Sequence, residues 1–373
     1  MTARFAPPRL AVVKIGSSSL RRDDGRLDRD MVVNLADQVL QVRDAGTEVV
    51  LVSSGAVAAG MGLLGLERRP TDLPTLQAAA AVGQGELIQA YQSVLEAHGH
   101  PAAQILMSQD DFIRRSRYLN ARTTIRRLVD LGAVPIINEN DAIANEELAY
   151  GDNDHLAALV ASMLDAQVLV LLSDVDGLYD TDPRGNADAR LIGRVDDIDA
   201  LDVAGIGGVG SFVGSGGMRT KVDAARVAVR SAAHAVIAHA RRERVLPEVL
   251  AGADIGTWFV AQPTRLEARR LWIGFALNTH GRIHVDAGAA AALRSNGVSL
   301  LSVGVTGADG TFDAGDAVEV VGPDGAVVAR GITNYGADAI ALIAGRSTAS
   351  AAAEFGAGYA REVIHRDDLV VFA

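Results

Sequence analysis

The chain has 373 residues, of which 49% are hydrophobic and 39 are glycine. This length allows two or three domains with well-buried cores, and the composition favours a globular α/β protein and excludes disorder. The net charge of -11 argues against a broad nucleic-acid or anionic-membrane surface, and the absence of cysteine excludes disulfides, thiolate metal sites and cysteine nucleophiles.

The N-terminal region has no segment typical of export or membrane insertion. Its apolar run, residues 10–13, ends at Lys14 and is too short for a signal peptide. No uncharged run in the sequence is long enough to span a bilayer. We therefore expect a cytoplasmic enzyme.

The segment from Leu10 to Gly16 predicts a buried strand that contains one lysine, Lys14. A lysine in such a strand is costly to bury unless an anion lies nearby, although an edge position or a snorkelling side chain would also explain it. The strand ends in Gly-Ser-Ser-Ser19, whose N–H groups and hydroxyls are of the kind that cradle phosphate. Lys14 is therefore interpreted as a phosphate ligand.

A helix predicted over 28–45 and a strand over 49–52 complete a β-α-β unit. The second strand runs into Ser54 and Gly55, at the carboxyl end where parallel sheets bind their ligands. Gly55 permits close backbone approach and Ser54 supplies a hydroxyl. Taken alone, Ser-Ser-Gly is more typical of a simple turn.

The next predicted elements are an alanine-rich helix over 75–97, a strand over 103–107, a helix over 118–131 and a strand over 134–137. The small side chains of the first helix suit close helix packing and a subunit interface. The arginines between 114 and 127 are interpreted as a solvated helix face, with contact to an acidic substrate or partner as the alternative.

Two polar clusters flank the loop that follows strand 134–137. Asn138-Glu-Asn-Asp141 comes directly after the strand, and Gly151-Asp-Asn-Asp154 opens a helix predicted over 154–164. Carboxylates and amides in these positions bind ligands in α/β proteins, and they also serve as turn and cap residues. Two clusters that bracket one loop favour a binding site.

Two later motifs also follow predicted elements. An apolar strand from Val168 delivers Ser173 and Asp174 to its end, and the glycine-dense segment 205–217 precedes a helix predicted over 218–231. Unpaired N–H groups and the helix dipole favour phosphate at such a helix start. A flexible linker with a cap would explain the glycines but not Lys221 in the first turn. The motif is neither a Walker A loop nor a Rossmann fingerprint.

The last hundred residues show short β-type runs, at 282–285, 300–305, 318–321 and 326–329, with a tight hairpin turn at Gly322-Pro-Asp-Gly325. The segments 281–288 and 315–320 are similar to a PUA domain, a small pseudo-barrel that binds RNA in other proteins. RNA binding is not expected here, because the region lacks a basic stripe laced with aromatic residues. The eight histidines are scattered and show no metal-type spacing.

The string Asp176-Gly-Leu-Tyr-Asp-Thr-Asp-Pro183 resembles the amino acid kinase superfamily, whose members carry a similar string beside the nucleotide. Seven further pieces match, in order, the members that phosphorylate glutamate. They are Val12-Val-Lys-Ile-Gly-Ser-Ser18, Val52-Ser-Ser-Gly-Ala56, Ala80-Ala-Val-Gly-Gln84, Tyr118-Leu-Asn-Ala-Arg122, Asn138-Glu-Asn-Asp141, Gly151-Asp-Asn-Asp154 and Gly214-Ser-Gly-Gly-Met-Arg-Thr-Lys221.

The resemblance implies both a fold and an activity. The fold is an amino acid kinase-like αβα sandwich with a mainly parallel central sheet over 1–262, a linker over 263–277 and a β-rich PUA pseudo-barrel over 278–373. The activity is ATP-dependent phosphorylation of the γ-carboxylate of L-glutamate to γ-glutamyl phosphate, the first step of proline biosynthesis. This reaction needs no general base, because a carboxylate is already ionised; it needs charge neutralisation and in-line positioning.

The resemblance also implies the site residues. Lys14 and Lys221 would flank the transferring phosphoryl group, and Asp154 would orient both lysines. Substrate contacts are implied at Asp141 for the α-ammonium, and at Ser54 and Asn153 for the α-carboxylate. ATP contacts are implied at Lys14, Ser173 and Asp174, and at Ser215, Gly216, Gly217, Met218, Arg219, Thr220 and Lys221. Mg²⁺ is expected mainly on ATP oxygens and water, and no protein ligand is assigned to it.

Further expectations follow from the same resemblance: a homo-oligomer (dimer or tetramer), feedback inhibition by proline, and hand-off of the labile product to a glutamate-5-semialdehyde dehydrogenase. Two alternatives are kept. One is an amino acid kinase with another acceptor, such as aspartate, N-acetylglutamate or a nucleoside monophosphate. The other is an RNA-binding regulatory protein that acts through the PUA domain. The acceptor-loop clusters suit an ammonium-bearing substrate better than a nucleotide.

Overall fold

The computed structural model describes residues 5–108, 110–143, 153–183, 185–186, 188–201, 216–263, 273–274 and 279–372. The chain divides into two compact units, Met1–Arg265 and Leu266–Ala373. Of the predicted linker, 263–277, only residues 263, 273 and 274 lie within the described ranges. None of the described helices combines the length and the apolar character that a bilayer span requires.

The first unit is built on a sheet whose described strands lie in the order β3-β4-β2-β1-β5-β7-β8-β6. The strands are β1 (Leu10–Ile15), β2 (Glu48–Ser53), β3 (Ala102–Met107), β4 (Val134–Glu139), β5 (Val168–Ser173), β6 (Arg194–Val195), β7 (His234–His239) and β8 (Thr257–Phe259). Among these, only the pair β7 and β8 is antiparallel. The mainly parallel sheet predicted from the sequence is confirmed.

Helices connect these strands. Those described are α1 (Arg29–Asp44), α2 (Ala56–Leu63), α3 (Leu73–Leu95), α4 (Asp110–Ile113), α5 (Arg115–Asp130), α6 (Asn153–Leu164), α7 (Gly216–Arg230) and α8 (Val245–Leu250). Helices α1, α3 and α8 pack together, and α5, α6 and α7 form a second group. Side chains alternate along β1, so Val13 and Ile15 join the core with α1 while Lys14 projects from the opposite face.

Helix α3 begins two residues before the predicted start at residue 75. Asp72 accepts a hydrogen bond from the backbone N–H of Thr75 at 2.9 Å, and Pro74 lies in the first turn. Both features are favourable at a helix N-terminus. Helix α2 was not predicted, because Gly60 and Gly62 lower its helix propensity.

The crossing of α2 and α3 explains those glycines. A Cβ atom added to Gly60 would lie 1.8 Å from the carbonyl oxygen of Ala79, and one added to Gly83 would lie 1.8 Å from that of Ala56. The two backbones therefore touch, as the alanine-rich sequence predicts for close helix packing. This contact sets the position of α2, whose N-terminus lies at the carboxyl edge of the sheet.

Four strand ends meet at that edge. In the register, Ile15 of β1 lies beside Ser53 of β2 and Leu172 of β5, and Val52 lies beside Ile137 of β4. The chain adds strands to the sheet on both sides of β1, with β2 on one side of it and β5 on the other. Such a switch point is where an open parallel sheet leaves a crevice for a ligand.

The second unit contains a five-stranded sheet in the order β10-β9-β11-β12-β13. Its described strands are β9 (Gly281–Val285), β10 (Val305–Gly310), β11 (Ala317–Val321), β12 (Val327–Ile332) and β13 (Leu369–Val371), and its helices are Ala287–Asn296, Ala337–Ile343 and Thr348–Phe355. Its core includes Ile283, Val320 and Ile340. The β-rich unit predicted from the sequence is confirmed.

Local predictions in this unit had mixed outcomes. The turn at Gly322–Gly325 is confirmed, with a hydrogen bond from the Gly325 N–H to the Gly322 carbonyl at 3.0 Å. The strand predicted over 300–305 is wrong: residues Ser302–Gly304 form a 3₁₀ turn, and the strand begins at Val305. The three helices were not predicted, because their alanine-rich sequences carry little hydrophobic periodicity.

Candidate active site

A cavity of about 540 Å³ opens at the carboxyl edge of the first sheet. The loop after β1 contributes Gly16, Ser17, Ser18 and Arg21 to its lining, and the N-terminus of α2 contributes residues 55–58. The starts of α6 and α7 also reach it, through Asn153 and Gly217. Three helix N-termini thus meet at one cavity, and their N–H groups and dipoles favour an anionic ligand.

Lys14 and Lys221 share one carboxylate beside this cavity. The Nζ atom of Lys14 lies 2.5 Å from Oδ1 of Asp154, and the Nζ atom of Lys221 lies 3.0 Å from Oδ2. Both lysines line the cavity. Asp154 is 0% exposed and Lys14 is 1% exposed. Two cations on one anion leave a local charge of +1, which is electrostatically suited to a phosphoryl group.

Local sequence explains this cluster. Asp154 lies in the first turn of α6, where the helix dipole favours a carboxylate. Lys221 lies in the second turn of α7, because the helix begins at Gly216, two residues before the predicted start. Its ammonium also donates to the carbonyl of Gly217 at 3.1 Å. Thr220 donates to Oδ2 of Asp154 at 3.2 Å. The start of α7 is therefore fastened to the start of α6 through one aspartate.

A directed chain of hydrogen bonds forms the neighbouring wall. The side-chain amide of Asn153 donates to Oγ of Ser54 at 2.9 Å and to Oδ1 of Asn138 at 2.8 Å. Oδ1 of Asn138 also accepts from the backbone N–H of Glu139 at 2.9 Å. Both amide hydrogens of Asn153 are thus in use. Ser54 accepts in this chain, so its own hydroxyl hydrogen is available to a ligand.

Asp141 lies on the same cavity, after the end of β4. Burial raises the pKa of its carboxyl group to about 6, and the positive charge of Arg69, which also lines the cavity, acts in the opposite direction. A half-buried carboxylate with a raised pKa gains from a cation placed beside it. The α-ammonium group of an amino acid would supply that cation.

Only some of the residues that were predicted to bind the nucleotide line the cavity. Asp174 lines it and accepts a hydrogen bond from Oγ of Ser173 at 3.0 Å, and Gly217 lines it as well. Met218 is buried, and the side chain of Arg219 is 73% exposed and paired with Asp223. Gly216 begins α7, and Ser215 lies outside the described residues.

Several cavity residues were missed as site residues from the sequence. Asn138 and Glu139 lie inside a recognised polar cluster, and their order after a strand was the available signal. Arg21 and Arg69 had no such signal, because Arg21-Arg22 and Arg68-Arg69 are typical of solvated loops. Only the folded chain shows that one arginine of each pair faces the cavity.

Comparison with known proteins finds a family match in each of the two units. The model of the amino acid kinase family matches residues 9–239, and that of the PUA domain matches residues 281–354. A glutamate 5-kinase from Pseudomonas putida is 49% identical over 362 residues, which are 96% of this chain and 97% of that protein. The chain belongs to the glutamate 5-kinase family.

A second member of the glutamate 5-kinase family, from Frankia casuarinae, is 48% identical over 365 residues, covering 97% of this chain and 96% of its own length. Among solved structures, the UMP kinase of Bacillus anthracis is similar to 69% of this chain and 97% of that chain, with 15% identity and a TM-score of 0.48.

Proposed function

We propose that this chain is an ATP-dependent kinase that phosphorylates the γ-carboxylate of L-glutamate, the step that opens proline biosynthesis. The observation that carries the proposal is the pair of lysines on Asp154, in a cavity that also presents Asp141 and Ser54. Membership of the glutamate 5-kinase family, shown by a match over 96% of the chain, supports it. That match does not favour the RNA-binding alternative.

The chemistry follows from the charges. A γ-carboxylate oxygen of glutamate forms a bond to the γ-phosphorus of ATP while the bond from that phosphorus to the bridging oxygen breaks, and ADP leaves. Two anions must approach each other, so the main requirement is positive charge at the transferring group. Lys14 and Lys221 provide it, and Asp154 keeps both ammonium groups in place.

Acceptor recognition uses the other wall of the cavity. We assign Asp141 to the α-ammonium, because burial disfavours the charged form of its carboxyl group and a cation bound beside it would stabilise that form. We assign the Ser54 hydroxyl to the α-carboxylate, with Asn153 holding Ser54 rather than donating directly. For ATP, we assign the end of β5, at Ser173 and Asp174, and the start of α7.

Kinase activity with ATP requires a divalent metal, and we propose that the metal is Mg²⁺. Within the described ranges, no cluster of three or more His, Cys, Asp or Glu side chains could hold a metal ion. Mg²⁺ commonly keeps several waters and binds substrate phosphates with one or two carboxylates. It would neutralise phosphate charge at the start of α7.

Other expectations stay predictions. They are the homo-oligomer, feedback inhibition by proline, hand-off of the acyl phosphate to a glutamate-5-semialdehyde dehydrogenase, and the cytoplasmic location. A titration of activity with proline tests the second directly. Hand-off is rejected if free product supports full flux through the coupled reductase.

A coupled ADP-release assay with three acceptors tests the proposal. Glutamate should give turnover. Aspartate, which is one methylene shorter, and N-acetylglutamate, which has no ammonium for Asp141, should give little or none. No turnover on free glutamate would reject the assignment. Salt-sensitive RNA affinity in a filter-binding titration, without ATP turnover, would instead favour the RNA-binding alternative.

A further inference from the structure

Arg69 is a cavity residue to which the proposed function has so far given no role. It lies in the loop between α2 and α3, between Arg68 and Pro70, and it lines the cavity with Asp141 and Ser54. Other arginines of this unit are held by carboxylates, such as Arg122 by Asp165 and Arg230 by Asp199. In the described part of the chain, no such ion pair holds Arg69.

The position of Arg69 next to Asp141 matters because of the acceptor's own geometry. The ammonium and the α-carboxylate of an amino acid are bonded to the same carbon atom. A group that binds the α-carboxylate must therefore neighbour the group that binds the ammonium. Arg69 satisfies this condition, since it lines the same cavity as Asp141 and its charge acts on the Asp141 carboxyl group.

The part of the cavity formed by Ser54, Asn138 and Asn153 offers neutral hydrogen-bond donors, to which Arg69 adds a charged one. A carboxylate has two oxygens, and each can accept more than one hydrogen bond. Asn153 has both amide hydrogens committed to Ser54 and Asn138, so that wall offers the hydroxyl hydrogen of Ser54 and the buried side-chain amide nitrogen of Asn138, which has no hydrogen-bond partner in the described structure. Both of these donors are neutral. A guanidinium presents a planar fork of N–H donors that matches a carboxylate.

We propose that Arg69 binds the α-carboxylate of the acceptor. It thereby selects an α-amino acid over an analogue that has the same carbon chain but an uncharged group in place of the α-carboxylate. This inference rests on the proposed function and adds a specificity residue to it. Arg69 and Asp141 bind the two charged groups on the α-carbon of the acceptor, while Lys14 and Lys221 act at its γ-carboxylate.

The test compares glutamate with its α-amide, isoglutamine, which keeps the ammonium and the γ-carboxylate but loses the α charge. The ratio of their kcat/KM values is measured for the wild type, Arg69→Gln, Arg69→Lys and Arg68→Gln. Arg69→Gln should lower the ratio at least tenfold, through a higher KM for glutamate with little change in kcat. Arg69→Lys should retain part of the preference, because it keeps the charge without the fork.

Arg68→Gln is the matched control, since it removes the same charge from the adjacent exposed position. Its ratio should equal that of the wild type. An unchanged ratio in Arg69→Gln, or an equal fall in both variants, overturns the inference. If a thermal scan shows that Arg69→Gln does not fold, the ratio of the kcat/KM values for Arg69→Lys is compared with that of the wild type instead, and an unchanged ratio overturns the inference. Failure of the proposed function is seen separately, as a wild type that does not turn over glutamate.

Discussion

The Nζ atom of Lys14 lies 2.5 Å from Oδ1 of Asp154, with both side chains almost completely buried. A buried ion pair of this kind is not in general a source of stability, because desolvation of the two charges offsets their attraction. Here the second oxygen of the same carboxylate holds Lys221. The arrangement makes sense as preorganisation, since it holds two ammonium groups beside a cavity before any phosphate arrives.

Asp154→Asn should damage both stability and activity. The substitution leaves two largely buried ammonium groups without their carboxylate, and breaking a buried pair in this way costs about 3–5 kcal/mol. Denaturant unfolding should show that loss, and kcat should fall about 100- to 1000-fold. Asp196→Asn, which breaks an exposed pair with Arg194, is the control and should change neither measurement. Wild-type stability and activity in Asp154→Asn would remove it from the cluster.

Lys221→Ala should separate catalysis from folding. Asp154 keeps Lys14 in this variant, so the buried carboxylate stays paired and the fold should persist. The transferring phosphoryl group loses one of its two cations, so kcat should fall by orders of magnitude. Steady-state kinetics beside a thermal scan measures both effects. An unfolded variant or a fully active one would contradict the role assigned to Lys221.

The raised pKa of Asp141 predicts a pH dependence of glutamate use. The α-ammonium needs an ionised carboxylate, so kcat/KM for glutamate should fall as pH drops through about 6. Asp141→Asn should raise KM for glutamate and flatten the acid limb of the profile. An unchanged KM would remove Asp141 from the pocket.

The same pKa predicts the direction of a stability effect. The folded pKa of Asp141 lies above the ordinary aspartate pKa of 3.8, so the carboxyl group favours folding when it is protonated. That contribution is present below pH 3.8 and is lost as pH rises through about 6. Asp141→Asn should therefore raise Tm at pH 7.5, and the gain should shrink towards pH 4. A lower Tm at pH 7.5 would contradict the burial argument.

Gly83→Ala tests the crossing of α2 and α3. The new Cβ would lie 1.8 Å from the Ala56 carbonyl, so the helices must move apart, at a cost of about 1–3 kcal/mol or more. The shift should also raise KM for glutamate, since residues 55–58 line the cavity. Gly85→Ala is the matched control in the same helix, because nothing lies within 4 Å of its Cβ position. It should be neutral or stabilising by up to about 1 kcal/mol.

Much of the kinase half of the fold could be predicted because its elements carry strong local signals. The apolar runs that became β1, β2 and β5 have few alternatives to a parallel strand. Their carboxyl ends follow from chain direction alone, so Lys14, Ser54 and Asp174 could be expected at one edge. The family resemblance then supplied roles for Asp141, Asn153 and Lys221.

The remainder depends on contacts between distant residues, which no local pattern reports. Helix α2 forms despite two glycines because α3 packs against it. Arg69 faces the cavity and Arg68 does not, although nothing in the sequence favours one of them over the other. The order of donors from Asn153 to Ser54 and Asn138 depends on side chains from three different elements.

The central claim is that two lysines from distant parts of the chain act on one phosphoryl group. A crystal structure with glutamate and a non-hydrolysable ATP analogue tests it most directly. We predict that the γ-phosphoryl group will contact Nζ of both Lys14 and Lys221, with the glutamate γ-carboxylate in line behind it and its head group at Asp141. A γ-phosphoryl group that contacts neither lysine, or a glutamate bound outside this cavity, would contradict the account.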